Sequence, residues 1–148
     1  MRPEFPELEA LDHPDRTFKV WGYEIGHSWL LLRSNKGVSR VTADRTFVTR
    51  INVLFTNVNA ISLPMMCDGL SVSVLRAAAA EHVNAAIGGP RPFATQRVFH
   101  LVGSNFSGSV IAGAMFVEED DGDYQAPSWL WPVMGDPRLA SEDELSGT

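Results

Sequence analysis

The sequence predicts a mainly β fold in which antiparallel strands form a sandwich or an open barrel, with one helix packed across them. Short apolar runs that alternate with period two recur along the chain and are separated by brief polar turns. Only residues 76–87, RAAAAEHVNAAI, have the composition and spacing of a helix. Because strands and helices do not alternate, antiparallel pairing is favoured over a parallel α/β sheet, and an α+β arrangement is the alternative.

The length and composition indicate one domain with two irregular ends. A chain of 148 residues that is 45% hydrophobic can bury a single core. We expect an irregular N-terminal arm at residues 1–16, where three prolines interrupt regular structure. A single β-rich domain follows at residues 17–134, and residues 135–148 form an acidic mobile tail.

The first two strands of the domain set its fold class. Residues 17–25 and 29–34 have apolar side chains on both faces, which places both strands at the centre of the sheet. Residues 26–28, Gly-His-Ser, are short enough for the tight turn of a hairpin. Residues 38–44 are polar and form an excursion from the sheet. Further strands are predicted at residues 47–55, 58–63, 70–74, 96–102 and 109–117, and the total is about seven or eight.

The charge is distributed unevenly along the chain. The net charge is −6, but residues 118–148 contain nine acidic residues and one arginine. Residues 33–50, in contrast, contain five basic residues and one acidic residue, so this stretch could contact phosphate groups. The acidic pI of about 5.1 argues against nucleic acid as a partner. No apolar run approaches the roughly 20 residues of a membrane helix, so we expect no membrane association.

The sequence contains no recognisable cofactor or metal motif. Its four histidines lack metal-ligand spacing, and the acidic run at residues 118–123 lacks the spacing of an EF-hand calcium loop. We therefore predict no metal and no cofactor. The single cysteine, Cys67, lies in an apolar context that suits a buried side chain. The N-terminal segment is acidic and contains no apolar run, so we expect no secretory signal. Together these observations favour a reducing cytoplasm.

Candidate catalytic groups are few and poorly grouped. A serine nucleophile needs a base within hydrogen-bonding reach, and neighbouring residues of a hairpin such as His27 and Ser28 usually point apart. No catalytic residue is therefore predicted, and a non-enzymatic role is favoured. The alternative is a small hydrolase or ligand-binding protein with a pocket inside the β-framework, around His27, His100 or Asp44.

The acidic segment and the tryptophans after it are the best candidate for a contact surface. Tryptophan is enriched in binding hot spots, and a cluster of carboxylates attracts basic partners. We expect a protein-binding module whose partner is another, basic protein, and association of the chain with itself through strand edges is compatible with this. The predicted partner-binding residues are Glu118, Glu119, Asp120, Asp121, Asp123, Trp129 and Trp131.

Three segments carry a resemblance to known proteins. Residues 27–34 (HSWLLLRS), 51–55 (INVLF) and 61–64 (ISLP) resemble parts of small, uncharacterised bacterial β-rich domains, some of which look like immunity proteins of polymorphic toxin systems. The resemblance covers about residues 17–75, or as far as residue 128 in its longer extent, and it rests on structural motifs. It implies a β-rich fold and a protein partner, and it carries over no functional residue.

Overall fold

The computed structural model describes residues 4–76, 79–82, 85 and 95–131. Within them it contains ten strands and confirms the predicted antiparallel, mainly β fold. Eight strands form one sheet, while β3 and β4 pair in a separate small sheet. The strands are β1 (Ala10–Glu24), β2 (Trp29–Ser34), β3 (Gly37–Val38), β4 (Thr46–Phe47), β5 (Arg50–Thr56), β6 (Ala60–Ser62), β7 (Met66–Val74), β8 (Arg97–Val102), β9 (Ser107–Ala112) and β10 (Ala114–Asp120).

The eight-stranded sheet curls back on itself. Its strand order is β10-β5-β2-β1-β7-β8-β9-β6, so β9 and β10 lie near opposite ends of the order. These two strands are nevertheless consecutive in the chain and are separated only by Gly113. The amide of Gly113 donates to the carbonyl oxygen of Thr56 on β5 (2.8 Å). The chain therefore links the two ends of the sheet directly, which requires a strongly curved sheet.

A contact between two phenylalanine rings shows how far the sheet bends. Phe55 on β5 and Phe99 on β8 are four strand positions apart, about 19 Å in a flat sheet with strands about 4.8 Å apart. Their ring centroids are 5.3 Å apart, in an edge-to-face arrangement. The concave face thus encloses the main core, which also contains Phe18, Leu30, Leu32 and Val53.

A second, smaller apolar cluster lies on the outer face of the sheet. It contains Leu31, Leu54, Leu130 and Trp131. The alternation along β2 explains the two clusters, since Leu30 and Leu32 face the concave core while Leu31 faces outward. Apolar side chains on both faces predicted a central position for β1 and β2. Both faces are apolar there because the main core covers one and the outer cluster covers the other.

The first strand begins earlier than predicted. Residues 10–16 were expected in the irregular arm, but β1 begins at Ala10 and pairs with β7. Pro14 is accommodated because the register shifts between His13, which is opposite Leu70, and Thr17, which is opposite Asp68. The extra residues on β1 form an irregularity where the missing N–H of proline breaks no ladder bond.

Other boundaries also differ from the prediction. The strand expected at residues 109–117 is two strands, β9 and β10, and β10 continues to Asp120 into the segment expected to be a loop. Residues 79–82 and 85 are helical, within the predicted helix at 76–87. The rest of that helix and the predicted tail at residues 135–148 lie outside the described residues.

The contact between Phe55 and Phe99 yields a stability prediction. Phe99→Ala should lower the free energy of unfolding by about 3–5 kcal/mol, because it opens a cavity where two parts of the curled sheet meet. Urea denaturation would measure the change. Val102→Ala on the same strand, at a side chain that is 39% exposed, should cost much less. Equal costs for the two substitutions would contradict this account of the core.

Candidate functional site

The acidic residues predicted to form one surface lie on two sides of β10, because successive side chains of a strand point to opposite faces of the sheet. Glu118 and Asp120 lie on β10 opposite Asn52 and Arg50 of β5, on the outer face of the sheet. Glu119 points to the other side. There its carboxylate accepts a hydrogen bond from the Thr49 hydroxyl. The three carboxylates were expected to share one exposed loop. They belong to a strand instead, so the middle one points away from the other two.

Arg50 is the centre of a buried charge network on the outer face. Its side chain is fully buried, and Nε and Nη2 donate to the two carboxylate oxygens of Asp120 at 2.8 and 2.9 Å. This is the bidentate geometry in which a guanidinium binds a carboxylate most strongly. The amide of Gly122 also donates to Asp120 (3.0 Å).

Asn52 links this ion pair to a second buried arginine. The Nε of Arg33 donates to Oδ1 of Asn52 (2.6 Å), and Nδ2 of Asn52 is 3.3 Å from carboxylate oxygens of both Glu118 and Asp120. The guanidinium of Arg33 also lies over the ring of Trp21, 5.0 Å from its centroid. Two arginines and two carboxylates therefore form one connected polar network.

Two groups in the network have a shifted pKa. Desolvation by itself would raise the pKa of Asp120, but the hydrogen bonds from Arg50 and Gly122 outweigh it and lower the pKa below its ordinary value. Desolvation, followed by the nearby charge of Arg50, lowers the pKa of Arg33 to about 10. Asp120 thus stays ionised at neutral pH and neutralises Arg50.

The network holds the loop at residues 121–131 against the sheet. Arg50 donates to the carbonyl oxygens of Asp123, Ala126 and Pro127 at 2.8, 2.6 and 3.2 Å. Glu118 accepts hydrogen bonds from the amides of Trp129 (3.1 Å) and Leu130 (3.3 Å). Both ends of the loop are therefore bound to charged side chains that the sheet holds in place. We call residues 121–131 the anchored loop.

Close packing supplies a further constraint on the anchored loop. Leu130 and Trp131 are buried in the outer cluster, and a Cβ atom on Gly22 of β1 would lie 2.8 Å from the Trp131 ring. A Cβ atom on Gly122 would likewise collide with the guanidinium of Arg50. Only glycine permits both approaches without displacement of the ring or the guanidinium.

The predicted partner-binding residues thus fall into two groups. The first group is buried or largely buried and organises the loop: Glu118, Asp120 and Trp131. The second group is exposed: Glu119, Asp121, Asp123 and Trp129. The side chain of Asp123 is 96% exposed, and Trp129 is 50% exposed. Tyr124, which the sequence did not single out, is 53% exposed on the same loop.

The organising residues on the sheet were also missed by the sequence analysis. Arg33, Arg50 and Asn52 were interpreted only as part of strands or of a basic stretch. A signal was present in β5, where Arg50 and Asn52 occupy alternate positions of the most regular apolar strand and hence share one face. The acidic run at residues 118–123 was the obvious source of counter-charges. The alternation of apolar and polar residues identifies strands, but it does not identify which strands pair with each other.

The other candidate groups are dispersed. His27 lies on the first hairpin, where Glu24 accepts a hydrogen bond from its backbone amide (2.6 Å), and His100 contacts Ser107 (3.1 Å) between β8 and β9. Cys67 is buried, which raises its thiol pKa to about 11. Among the described residues, no group of three or more His, Cys, Asp or Glu side chains could hold a metal ion.

Comparison with known proteins found no matching family, no matching curated sequence and no matching solved structure. In the part of the chain that the structure describes, no helix has the length and apolar character needed to cross a membrane.

The pKa of Asp120 leads to a prediction about pH. Asp120→Asn should lower the free energy of unfolding by about 3 kcal/mol at neutral pH, because it leaves Arg50 buried without a charged partner. The folded pKa is below the ordinary value of 3.8, so this contribution is complete above pH 3.8 and is lost as the pH falls through the folded pKa. Urea denaturation of both proteins from pH 7 to pH 3 should show the difference shrinking with acid.

Asp121→Asn is the matched control for this prediction. Asp121 is the next residue, is exposed, and should change stability by less than about 0.5 kcal/mol. A cost for Asp120→Asn that stayed constant down to pH 3 would mean that the ionised carboxylate is not what stabilises the loop.

Proposed function

We propose that this chain is a non-enzymatic protein-binding module that recognises a basic partner through its anchored loop. The observation that carries the proposal is the presentation of two half-exposed aromatic side chains, Tyr124 and Trp129, on a loop bound to Arg50 and Glu118. Aromatic side chains held in place lose little conformational entropy on binding, and they supply the central contacts of most interfaces.

The charge around these aromatic residues favours a basic partner. Asp121 and Asp123 are exposed on the same loop. Glu119 is also exposed, but it points to the other side of the sheet. Carboxylates at the rim of an interface accelerate association with a positively charged surface and select against acidic surfaces. The sequence from residue 118 to residue 148 carries nine acidic residues and one arginine, so the excess negative charge extends beyond the loop.

The catalytic alternative receives little support from the geometry. A hydrolase built around His27, His100 or Asp44 would need at least two of these residues in one pocket. His27 is on the β1–β2 turn, His100 is on β8, and Asp44 lies just before β4. None of the three lines the pockets formed around residues 12–16, around Trp29 and Phe116, or around Arg33.

A more specific proposal is that the chain acts as an immunity protein, with a toxin as its partner, in a reducing cytoplasm. The support is the resemblance of residues 27–34, 51–55 and 61–64 together with the acidic loop. Coexpression would test this: the chain should suppress the toxicity of a toxin encoded beside it, and Trp129→Ala should abolish the protection. A neighbouring toxin whose effect is unchanged by the wild-type chain would refute the immunity role.

Partner binding itself can be tested with the full chain as bait. Proteins retained by the wild type but not by the Trp129→Ala, Tyr124→Ala double variant would be identified by mass spectrometry, and the best candidate purified. Calorimetry should then show at least about 30-fold weaker binding to the double variant, as expected for the loss of a hot spot. Asp121→Asn should mainly slow association and reduce its dependence on salt.

The control variant is Ile61→Ala. Ile61 is 41% exposed and lies on β6, at the opposite end of the strand order from β10. It should bind the partner like the wild type. If the double variant and the wild type retain the same proteins, or if Ile61→Ala weakens binding as much as the double variant, the anchored loop is not the recognition surface.

A further inference from the structure

A small basic pocket lies beside the anchored loop. Its volume is about 220 Å³, and it is formed by β1, β2 and the segment after β2. Four basic residues line it, and none of the described lining residues is acidic. The basic residues are Lys19, Arg33, Lys36 and Arg40.

Polar and aromatic side chains complete the lining. Ser34 and Tyr124 contribute hydroxyl groups, and Phe47 adds a second aromatic ring. Thr17 and Ser39 also line the pocket, but their hydroxyls donate to Asp68 (2.8 Å) and to the carbonyl oxygen of Asp15 (2.6 Å). Hydroxyl, ammonium and guanidinium groups are the side-chain donors that bind oxyanions. The composition of the lining is thus that of an anion site with an apolar side.

Two lining residues have buried polar atoms without a hydrogen-bond partner. They are Nη2 of Arg33 and Oδ1 of Asn35, and in the described part of the chain only Ser109 Oγ shares this property. Arg33 is 1% exposed. A buried guanidinium donor without an acceptor is costly, so an oxygen atom of a ligand in the adjoining pocket would be stabilised by accepting a hydrogen bond from it. Amide oxygen and nitrogen positions can exchange, so Asn35 can present a donor as well.

The positive charge of the pocket is only partly neutralised. Lys36 is 3.3 Å from Asp123 and Arg40 is 3.2 Å from Asp68, and both basic side chains are partly exposed. Such exposed ion pairs are weak and exchange readily for a ligand. Within the described residues, the ammonium group of Lys19 has no ion pair. Arg33 bonds directly to the neutral amide of Asn52, and its charge is balanced at longer range by Asp120 and Glu118.

We propose that this pocket binds the phosphate group of a small phosphomonoester. A phosphate dianion offers three oxygens and two charges, which matches several donors around one centre better than a carboxylate does. Phe47 and Tyr124 would contact the organic part of the ligand. The pocket is smaller than most ligand sites, which limits the ligand to one phosphate and a small organic group.

The site is a different surface from the one proposed for protein recognition, although it adjoins the anchored loop through Tyr124 and through the ion pair of Lys36 with Asp123. It develops the basic stretch at residues 33–50, which the sequence marked as able to contact phosphate. It requires no catalytic step, and its donors differ from the exposed carboxylates that would face a protein partner. Tyr124 is the one residue that belongs to both surfaces.

Calorimetric titration of the full chain would test the proposal with inorganic phosphate, phenyl phosphate and benzoate, at a constant ionic strength set with sodium chloride. We expect saturable binding of both phosphates, with phenyl phosphate the tighter because of its ring. Benzoate, which keeps the ring but carries one charge, should bind at least tenfold more weakly. Tighter binding of benzoate than of phenyl phosphate, or no saturable binding of either phosphate, would overturn the proposal.

Matched variants locate the binding site. Lys19→Gln should weaken binding of phenyl phosphate about tenfold, as expected for the loss of one charged hydrogen bond. Arg97→Gln removes the same charge on β8, where Arg97 pairs with Glu9 (2.7 Å), and should bind phenyl phosphate like the wild type. Equal binding by wild type and Lys19→Gln, or equal weakening by both variants, would show that the pocket is not the site.

Arg33→Met tests the buried donor. It should abolish phosphate binding, and methionine fills a similar volume without a charge. It also removes one of the two positive charges beside Asp120 and the buried Glu118, so the free energy of unfolding should fall. If this variant does not fold, the Lys19→Gln, Arg40→Gln double variant should show at least about 50-fold weaker binding, and binding that is retained would refute the site. Trp129→Ala should still bind phenyl phosphate, so failure of partner recognition and failure of this proposal are separable.

Discussion

The bidentate ion pair between Arg50 and Asp120 is the interaction on which this structure depends most. It joins β5 to β10, neutralises a fully buried guanidinium, and frees the remaining N–H groups of Arg50 for the carbonyl oxygens of the anchored loop. Removal of either partner would leave an uncompensated charge on the outer face of the sheet. The position of the loop that carries Tyr124 and Trp129 therefore depends on this ion pair.

The β-rich fold was predictable because its signals are local. Apolar side chains on both faces of residues 29–34 identified a central strand, and the outer and inner clusters account for both faces. The site was less predictable because its signals are distant in sequence. Arg50 and Asp120 are 70 residues apart, and only strand pairing reveals that they are directly opposite. Composition marked the acidic segment correctly as unusual, but it could not separate Asp120, which stabilises the fold, from Asp121, which faces solvent.

The polar outer face also explains how two opposite charge patterns coexist in one small domain. Bases from residues 33–50 and acids from residues 118–123 meet there, and part of each set is neutralised by the other. The charged side chains that are not neutralised in this way lie in two separate regions. The carboxylates are on the exposed side of the anchored loop, and the basic side chains surround the pocket beside it. A net charge of −6 therefore hides a surface on which adjacent regions have opposite sign.

The single glycine between β9 and β10 has a consequence for how the chain acquires its structure. Because β10 is the last described strand and β5 is its partner, the sheet stays open and Arg50 lacks its counter-charge until residues near 120 have left the ribosome. The early strands can pair before that moment, but Leu31 and Leu54 on their outer face still lack the cover that Leu130 and Trp131 supply. Synthesis of β10 and the anchored loop is therefore the step that completes the described sheet, and a product that ended before β10 would leave an apolar, unpaired sheet exposed to aggregation.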